Sequence, residues 1–144
     1  MTLRVPYNCD FQVKIKLPFK LFFQNYIEVF YKLCEDIGGE TADTMCPLLE
    51  FEADRRAFLI TINSFGTELT KDDREKLYPN CGKLYPEGLS MLSKCTDFEQ
   101  VRQVADMYGS YRPLFDGVGQ GAGDFTLEDK FFEYEVHILY IKLF

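Results

Sequence analysis

With 144 residues, 47% of them apolar and 16% aromatic, the chain is long enough to bury one core and too apolar to be disordered. Its formal charge of −7 argues against a nucleic-acid surface, which needs a basic face, and against direct adsorption on anionic lipid. Five cysteines (Cys9, Cys34, Cys46, Cys81 and Cys95) form no C-x-x-C pair, and an odd count at irregular spacing points to reduced thiols in a cytosolic setting.

The charge is unevenly spread. Residues 1–20 carry Arg4, Lys14, Lys16 and Lys20 against Asp10, a balance of +3, so residues 21–144 hold −10. In the first segment Phe11, Val13, Ile15 and Leu17 alternate with Gln12, Lys14 and Lys16 up to Pro18, which is a strand pattern. A lone strand has no partner, so the spacing predicts a loop or a loose strand over 1–20. No apolar run reaches the length of a membrane span: Lys20, Asn25 and Glu28 interrupt the best one. The start also lacks a compact apolar signal segment.

From Leu21 the period becomes helical. Phe22, Tyr26, Val29, Phe30, Leu33 and Ile37 mark one stripe, and Gly38-Gly39 supplies a stop. Thr41 is placed to cap the next helix, and Pro47 predicts a bend or a restart. The run from Cys46 to Leu69 reads as one long helix that is apolar almost all round. Leu48, Phe51, Phe58, Leu59, Ile62 and Phe65 share one side, and Met45, Leu49, Ala53, Ala57 and Ile60 another. Only a narrow strip with Glu50, Asp54 and Thr61 is patterned for water. Glu52, Arg56 and Asn63 fall between the apolar sides, which places this helix inside an assembly of helices with its charges paired.

Gly66 ends the long helix. Thr70-Lys-Asp-Asp73 is a capping-box-like start for a short helix to about Tyr78. Pro86 fits the first residue of a helix to about Lys94, and Asp97 caps one carrying Val101, Val104, Ala105 and Tyr108. Pro113 to Gly117 allows at most one turn, and Gly117, Gly119, Gly121 and Gly123 make a flexible loop. Thr126-Leu-Glu-Asp129 starts the last helix, through Phe131, Phe132, Val136 and Leu139. With no internal strand after residue 20, the class is all-α.

Glu50, Glu52, Asp54, Arg55 and Arg56 are the candidate site residues. They read either as a contact surface for a partner or, more simply, as a Glu52–Arg56 pair with interhelical ties that fix helix register. Breaking a buried pair of that kind costs roughly 3–5 kcal/mol. No catalytic, cofactor-binding or metal residues are assigned. A di-iron bundle needs Glu-x-x-His, but the single histidine, His137, has Tyr134 three residues before it. Gly117-Val-Gly-Gln-Gly-Ala122 matches G-x-G-x-x-A without the strand that a dinucleotide site requires, and the chain has no phosphate-binding G-x-x-x-x-G-K-[ST] loop. Phe22, Phe23, Tyr26, Phe30 and Tyr31 crowd one helix and Phe131, Phe132, Tyr134 and Tyr140 another, and most of them are expected in the core. Phe23, Tyr31, Tyr85, Tyr108 and Tyr111 cannot all face inward on so small a body. Surplus apolar surface marks an interface or a missing part of the same protein, and the missing part is the favoured reading.

Cys46-Pro-Leu-Leu-Glu-Phe-Glu-Ala-Asp-Arg-Arg-Ala-Phe58, Thr61-Ile-Asn-Ser-Phe-Gly-Thr-Glu-Leu69 and Gly82-Lys-Leu-Tyr-Pro-Glu-Gly-Leu89 resemble the subunit d family of the vacuolar-type (V-type) proton ATPase. The resemblance begins near Leu21 and runs through Ala105-Asp-Met-Tyr108 to Leu127-Glu-Asp-Lys-Phe-Phe-Glu-Tyr-Glu-Val136. It implies a domain over 21–144 that is part of a funnel-shaped helical bundle built of three-helix modules, beside an unmatched segment 1–20. The implied role is non-catalytic: an accessory subunit of the membrane sector that couples central-stalk rotation to the proteolipid ring for proton transport. The implied partners are ring and stalk subunits, without cofactor, small-molecule substrate or nucleic acid. The implied location is the cytosolic face of vacuolar, lysosomal or endosomal membranes. Relative to the family the chain is expected to be truncated at both ends, with His137 to Phe144 in place of a longer continuation. The alternative is a free-standing helical interaction module that competes with the full-length subunit.

Overall fold

The computed structural model describes the backbone of residues 9–118 and 126–143, and the side chains of residue 22 and of 24–118 and 126–142. Seven helices and no strand occur among the described residues: α1 (Cys9–Ile37), α2 (Gly39–Asn63), α3 (Lys71–Leu77), α4 (Glu87–Lys94), α5 (Phe98–Asp106), α6 (Arg112–Phe115) and α7 (Leu127–Leu143). The molecule is an all-α bundle. None of these helices is long and apolar enough to cross a membrane.

Two expectations about the first third of the chain are corrected. The alternating stretch 11–17, expected as loop or loose strand, is helical and belongs to α1. Within a helix each backbone group finds its partner in the same segment, whereas a strand here would have no neighbour to pair with. The restart expected at Pro47 does not occur either: α2 runs through it from Gly39, and Thr41 lies inside the helix rather than at its cap. Tertiary packing along the whole length of α2 outweighs the one backbone bond that a proline removes.

Local signals set most of the other boundaries. Gly38 and Gly39 stand at φ 68° and 55°, a left-handed pair that turns α1 back onto α2. Thr70 and Asp73 form a reciprocal capping box at α3, and Thr126 and Asp129 exchange the same bonds at α7. Asp97 accepts from the Gln100 amide at the start of α5. Pro86 is the N-cap of α4 and not its first residue. α6 is a single turn of four residues. The glycine loop expected over 117–123 lies mostly outside the described residues; Gly117 itself has φ 78°.

α2 is the shared wall of the bundle, packing on α1, α3, α4, α5 and α7. Its Phe51 and Phe58 meet Tyr111, Phe115 and Phe131 in an aromatic core, with Phe58 and Phe115 ring centres 5.0 Å apart and Phe58 edge-on to Tyr111 at 5.7 Å. Burying each such ring stabilises the fold by roughly 1.5–3 kcal/mol, and offset or edge contacts add to that.

α1 turns its other side outward. Ile27 and Cys34 are buried against α2, while Tyr26, Val29, Leu33 and Ile37 are 51 to 68% exposed and Phe22 is exposed beside them. Aromatic residues of this helix expected in the core therefore lie partly on the surface. α7 has the same two-faced character: Leu127 and Phe131 go in, and Phe132, Val136 and Tyr140 stay out.

Candidate functional site

Two of the three residues in the strip of α2 that the sequence marks as wet are dry, and Glu50 is half-buried. Asp54 and Thr61 are both fully buried. The helical wheel assigns them to one side correctly, but the loop between α3 and α4 and the turn before α6 fold over that side. Asp54 accepts hydrogen bonds from the backbone N–H of Lys83 at 2.9 Å, from that of Leu84 at 3.3 Å and from the Tyr111 hydroxyl. No cation pairs with Asp54 among the described residues.

Two chain segments thus converge on one carboxylate of α2, and glycine makes the approach possible. Gly82 stands at φ 101°, and a Cβ there would press on the Asp54 carboxylate and lie 2.9 Å from the Glu50 carbonyl oxygen. Burial pushes the Asp54 pKa up to about 6, with the bonds from Tyr111, Lys83 and Leu84 pulling the other way. Burial and the charge of Asp54 together push the Tyr111 hydroxyl far up, so it remains a donor. The Lys83 ammonium group closes the knot from outside, bonded to Ser110 Oγ at 3.1 Å and 6.0 Å from the Tyr111 ring centre.

Parallel ties fasten the neighbouring segments. The hydroxyls of Thr61 and Tyr78 lie 2.6 Å apart, and Thr61 also donates to the Ala57 carbonyl. Burial raises the Tyr78 pKa to about 12. Arg74 is nearly buried, donates to the Cys95 and Ser93 carbonyls at the end of α4, and stacks on Phe65 at 5.6 Å. A cation over the last carbonyls of a helix is favoured by the helix dipole.

Of the five candidates, Asp54 belongs to the buried knot and the others do not. Glu50 accepts from the Tyr31 hydroxyl at 3.0 Å and so ties α2 to α1. Glu52 is held between Arg55 at 2.6 Å and Arg56 at 2.8 Å, all three within α2 and 20 to 31% exposed. Sequence reasoning placed Asp54 among the ion-pair candidates, whereas its partners are neutral donors. It also did not assign Tyr111, Tyr78, Arg74 or the Lys83 and Leu84 amides. Their one signal in the sequence is the Asn80-Cys-Gly-Lys-Leu84 run, whose glycine marks a close backbone approach. Between α1, α2 and that run lies an open cleft of about 380 Å³ lined by Glu28, Tyr31, Glu35, Glu50 and Cys81. Glu28 is already engaged there by the Asn80 amide at 2.7 Å.

This arrangement holds elements together and offers no nucleophile–base pair. Its partners in chemistry are its own backbone amides. The family model described as ATP synthase (C/AC39) subunit matches residues 20–143. V-type proton ATPase subunit d of Dictyostelium discoideum is 50% identical over 129 residues, covering 88% of this chain and 35% of that protein. The probable V-type proton ATPase subunit d of Oryza sativa subsp. japonica is 49% identical over 127 residues, 88% of this chain and 36% of that protein. The Saccharomyces cerevisiae subunit d is 35% identical over 118 residues. The chain spans about a third of the length of these relatives.

Proposed function

The chain belongs to the ATP synthase (C/AC39) subunit family, and we propose that it acts as a non-catalytic subunit, or part of one, in the membrane sector of a V-type proton ATPase. In this reading it couples rotation of a central stalk to a proteolipid ring, and so to proton transport and organelle acidification. It would do so as a peripheral part on the cytosolic face of vacuolar, lysosomal or endosomal membranes, within a funnel of helices. The observation that carries the proposal is the identity of one half to V-type proton ATPase subunit d across 129 residues.

The physical support is stiffness. A part that passes torque must resist shear between its helices, and directional hydrogen bonds between segments add to the resistance of the interdigitated apolar core. The Asp54 knot, the Thr61–Tyr78 contact and the Arg74 clamp each join segments distant in sequence. Expressed as the full chain in cells lacking their own subunit d, the protein is expected to co-purify with the proteolipid ring. A folded chain with no affinity for ring or stalk would overturn the proposal.

The exposed apolar faces of α1 and α7 favour one second reading, a helical module that competes with a longer subunit. It predicts reduced acidification when the chain is overexpressed in cells that keep their own subunit d.

A further inference from the structure

We propose that the groove between α2 and α7 is a docking site for an acidic segment of another protein, which seats one large apolar side chain on an aromatic floor and sets its carboxylates against Lys83 and Lys142. The inference does not depend on the rotary reading. The floor is Phe51 and Tyr111, both buried, with the Tyr134 ring centre 4.7 Å from that of Phe51 and 6.5 Å from that of Tyr111. Ile138 and Ile141 of α7 add to the apolar lining. The hollow holds about 140 Å³. That is below the roughly 300–1,000 Å³ of a site that encloses a small molecule, and it suits a pocket for one anchoring side chain of a protein partner.

Charge selects the partner. Acids outnumber bases 23 to 16 in this chain, yet the groove is lined by two lysines and no carboxylate. Lys83 holds its ammonium group 6.0 Å from the Tyr111 ring centre and bonds to the neutral Ser110 hydroxyl at 3.1 Å, so it is already placed beside the floor. Lys142 is exposed in the last turn of α7. Neither has a carboxylate partner among the described residues. Asp43 and Glu50 of α2 and Glu135 of α7 lie outside the lining, and the Asp54 oxygens are engaged by the Lys83 and Leu84 amides and the Tyr111 hydroxyl. A basic segment would set like charges together. A neutral one would cover the floor and leave both cations unpaired. An acidic segment supplies the missing countercharge on both sides of its anchor.

Fluorescence anisotropy of labelled synthetic peptides with the full chain tests the proposal. Three peptides are compared: one phenylalanine between glutamates, the same phenylalanine between lysines, and one alanine between glutamates. The first is expected to bind, the alanine peptide to bind about 30-fold more weakly or worse, as for loss of a central anchor, and the lysine peptide not at all. Lys83→Gln and Lys142→Gln should each weaken the first peptide about threefold, and added salt should weaken it further only where the lysines are present. Ile141→Glu should abolish binding, and because Ile141 is 59% exposed the variant's circular dichroism should match that of the parent. No binding up to about 1 mM peptide would overturn the proposal. So would equal binding of the lysine or alanine peptide, or binding that neither lysine variant weakens. Self-association of the chain that Ile141→Glu abolishes in sedimentation velocity would also overturn it, by placing a second copy in the groove.

Discussion

Tyr111 donates its hydroxyl to Asp54, 57 residues earlier in the chain, with both side chains buried and no cation paired to the carboxylate among the described residues. Tyr111→Phe keeps the ring against Phe51 and Phe58 and removes only the donor. A loss of about 1–3 kcal/mol is expected in urea unfolding, the cost of leaving a buried carboxylate one partner short. Helical content should not change.

The pH dependence follows from the same group. The folded pKa of Asp54 is raised to about 6 from the ordinary 3.8, so the folded state holds the proton more tightly than the unfolded state does. Its contribution to stability is therefore complete below about pH 4 and is lost as pH rises through 6. Other carboxylates titrate in the same window, and Asp54→Asn isolates this one. The difference in unfolding free energy between parent and Asp54→Asn should shift against the parent by up to roughly 3 kcal/mol between pH 4 and 7.

Gly82 should tolerate no side chain. Gly82→Ala meets both an unfavourable φ and the Asp54 carboxylate, for an expected loss of roughly 2–4 kcal/mol in thermal or urea unfolding. Gly66 has φ 73° but nothing within 4 Å of a added Cβ, so Gly66→Ala should lose only about 1 kcal/mol. Equal losses at the two positions would show that the knot is not close-packed.

The Glu52–Arg56 pair should be weak. Both side chains are partly exposed, and Glu52 already has Arg55. A double-mutant cycle with Glu52→Leu and Arg56→Met is expected to return a coupling below about 1 kcal/mol, falling further in high salt. The value of roughly 3–5 kcal/mol expected from the sequence applies to a buried pair with no second partner.

The helix ends were legible because they depend on residues next to one another: Gly38 and Gly39, Thr70 with Asp73, Asp97 with Gln100, and Thr126 with Asp129. The all-α class followed from the same signals. What periodicity could not tell was what covers each face. It drew the α1 stripe from Phe22 to Ile37 correctly, yet that stripe points out while Ile27 and Cys34 go in. It drew the strip through Asp54 and Thr61 correctly, yet the strip is covered. A polar residue in a helix looks the same whether water or a backbone amide thirty residues away satisfies it. The partners of Asp54 were hidden for that reason, since two of them are main-chain N–H groups that leave no mark in a sequence.

One consequence of the shared wall concerns how motion crosses the molecule. α1 and α7, which carry the two exposed apolar faces, both rest on α2. A twist applied to one face passes through a single helix to the other, and no connecting loop lies in that path. The loops can flex without slackening the link, and whatever grips either face moves both. In native-state hydrogen exchange the amides around Ala57 and Phe58 should therefore be the last to open, and only with the whole fold.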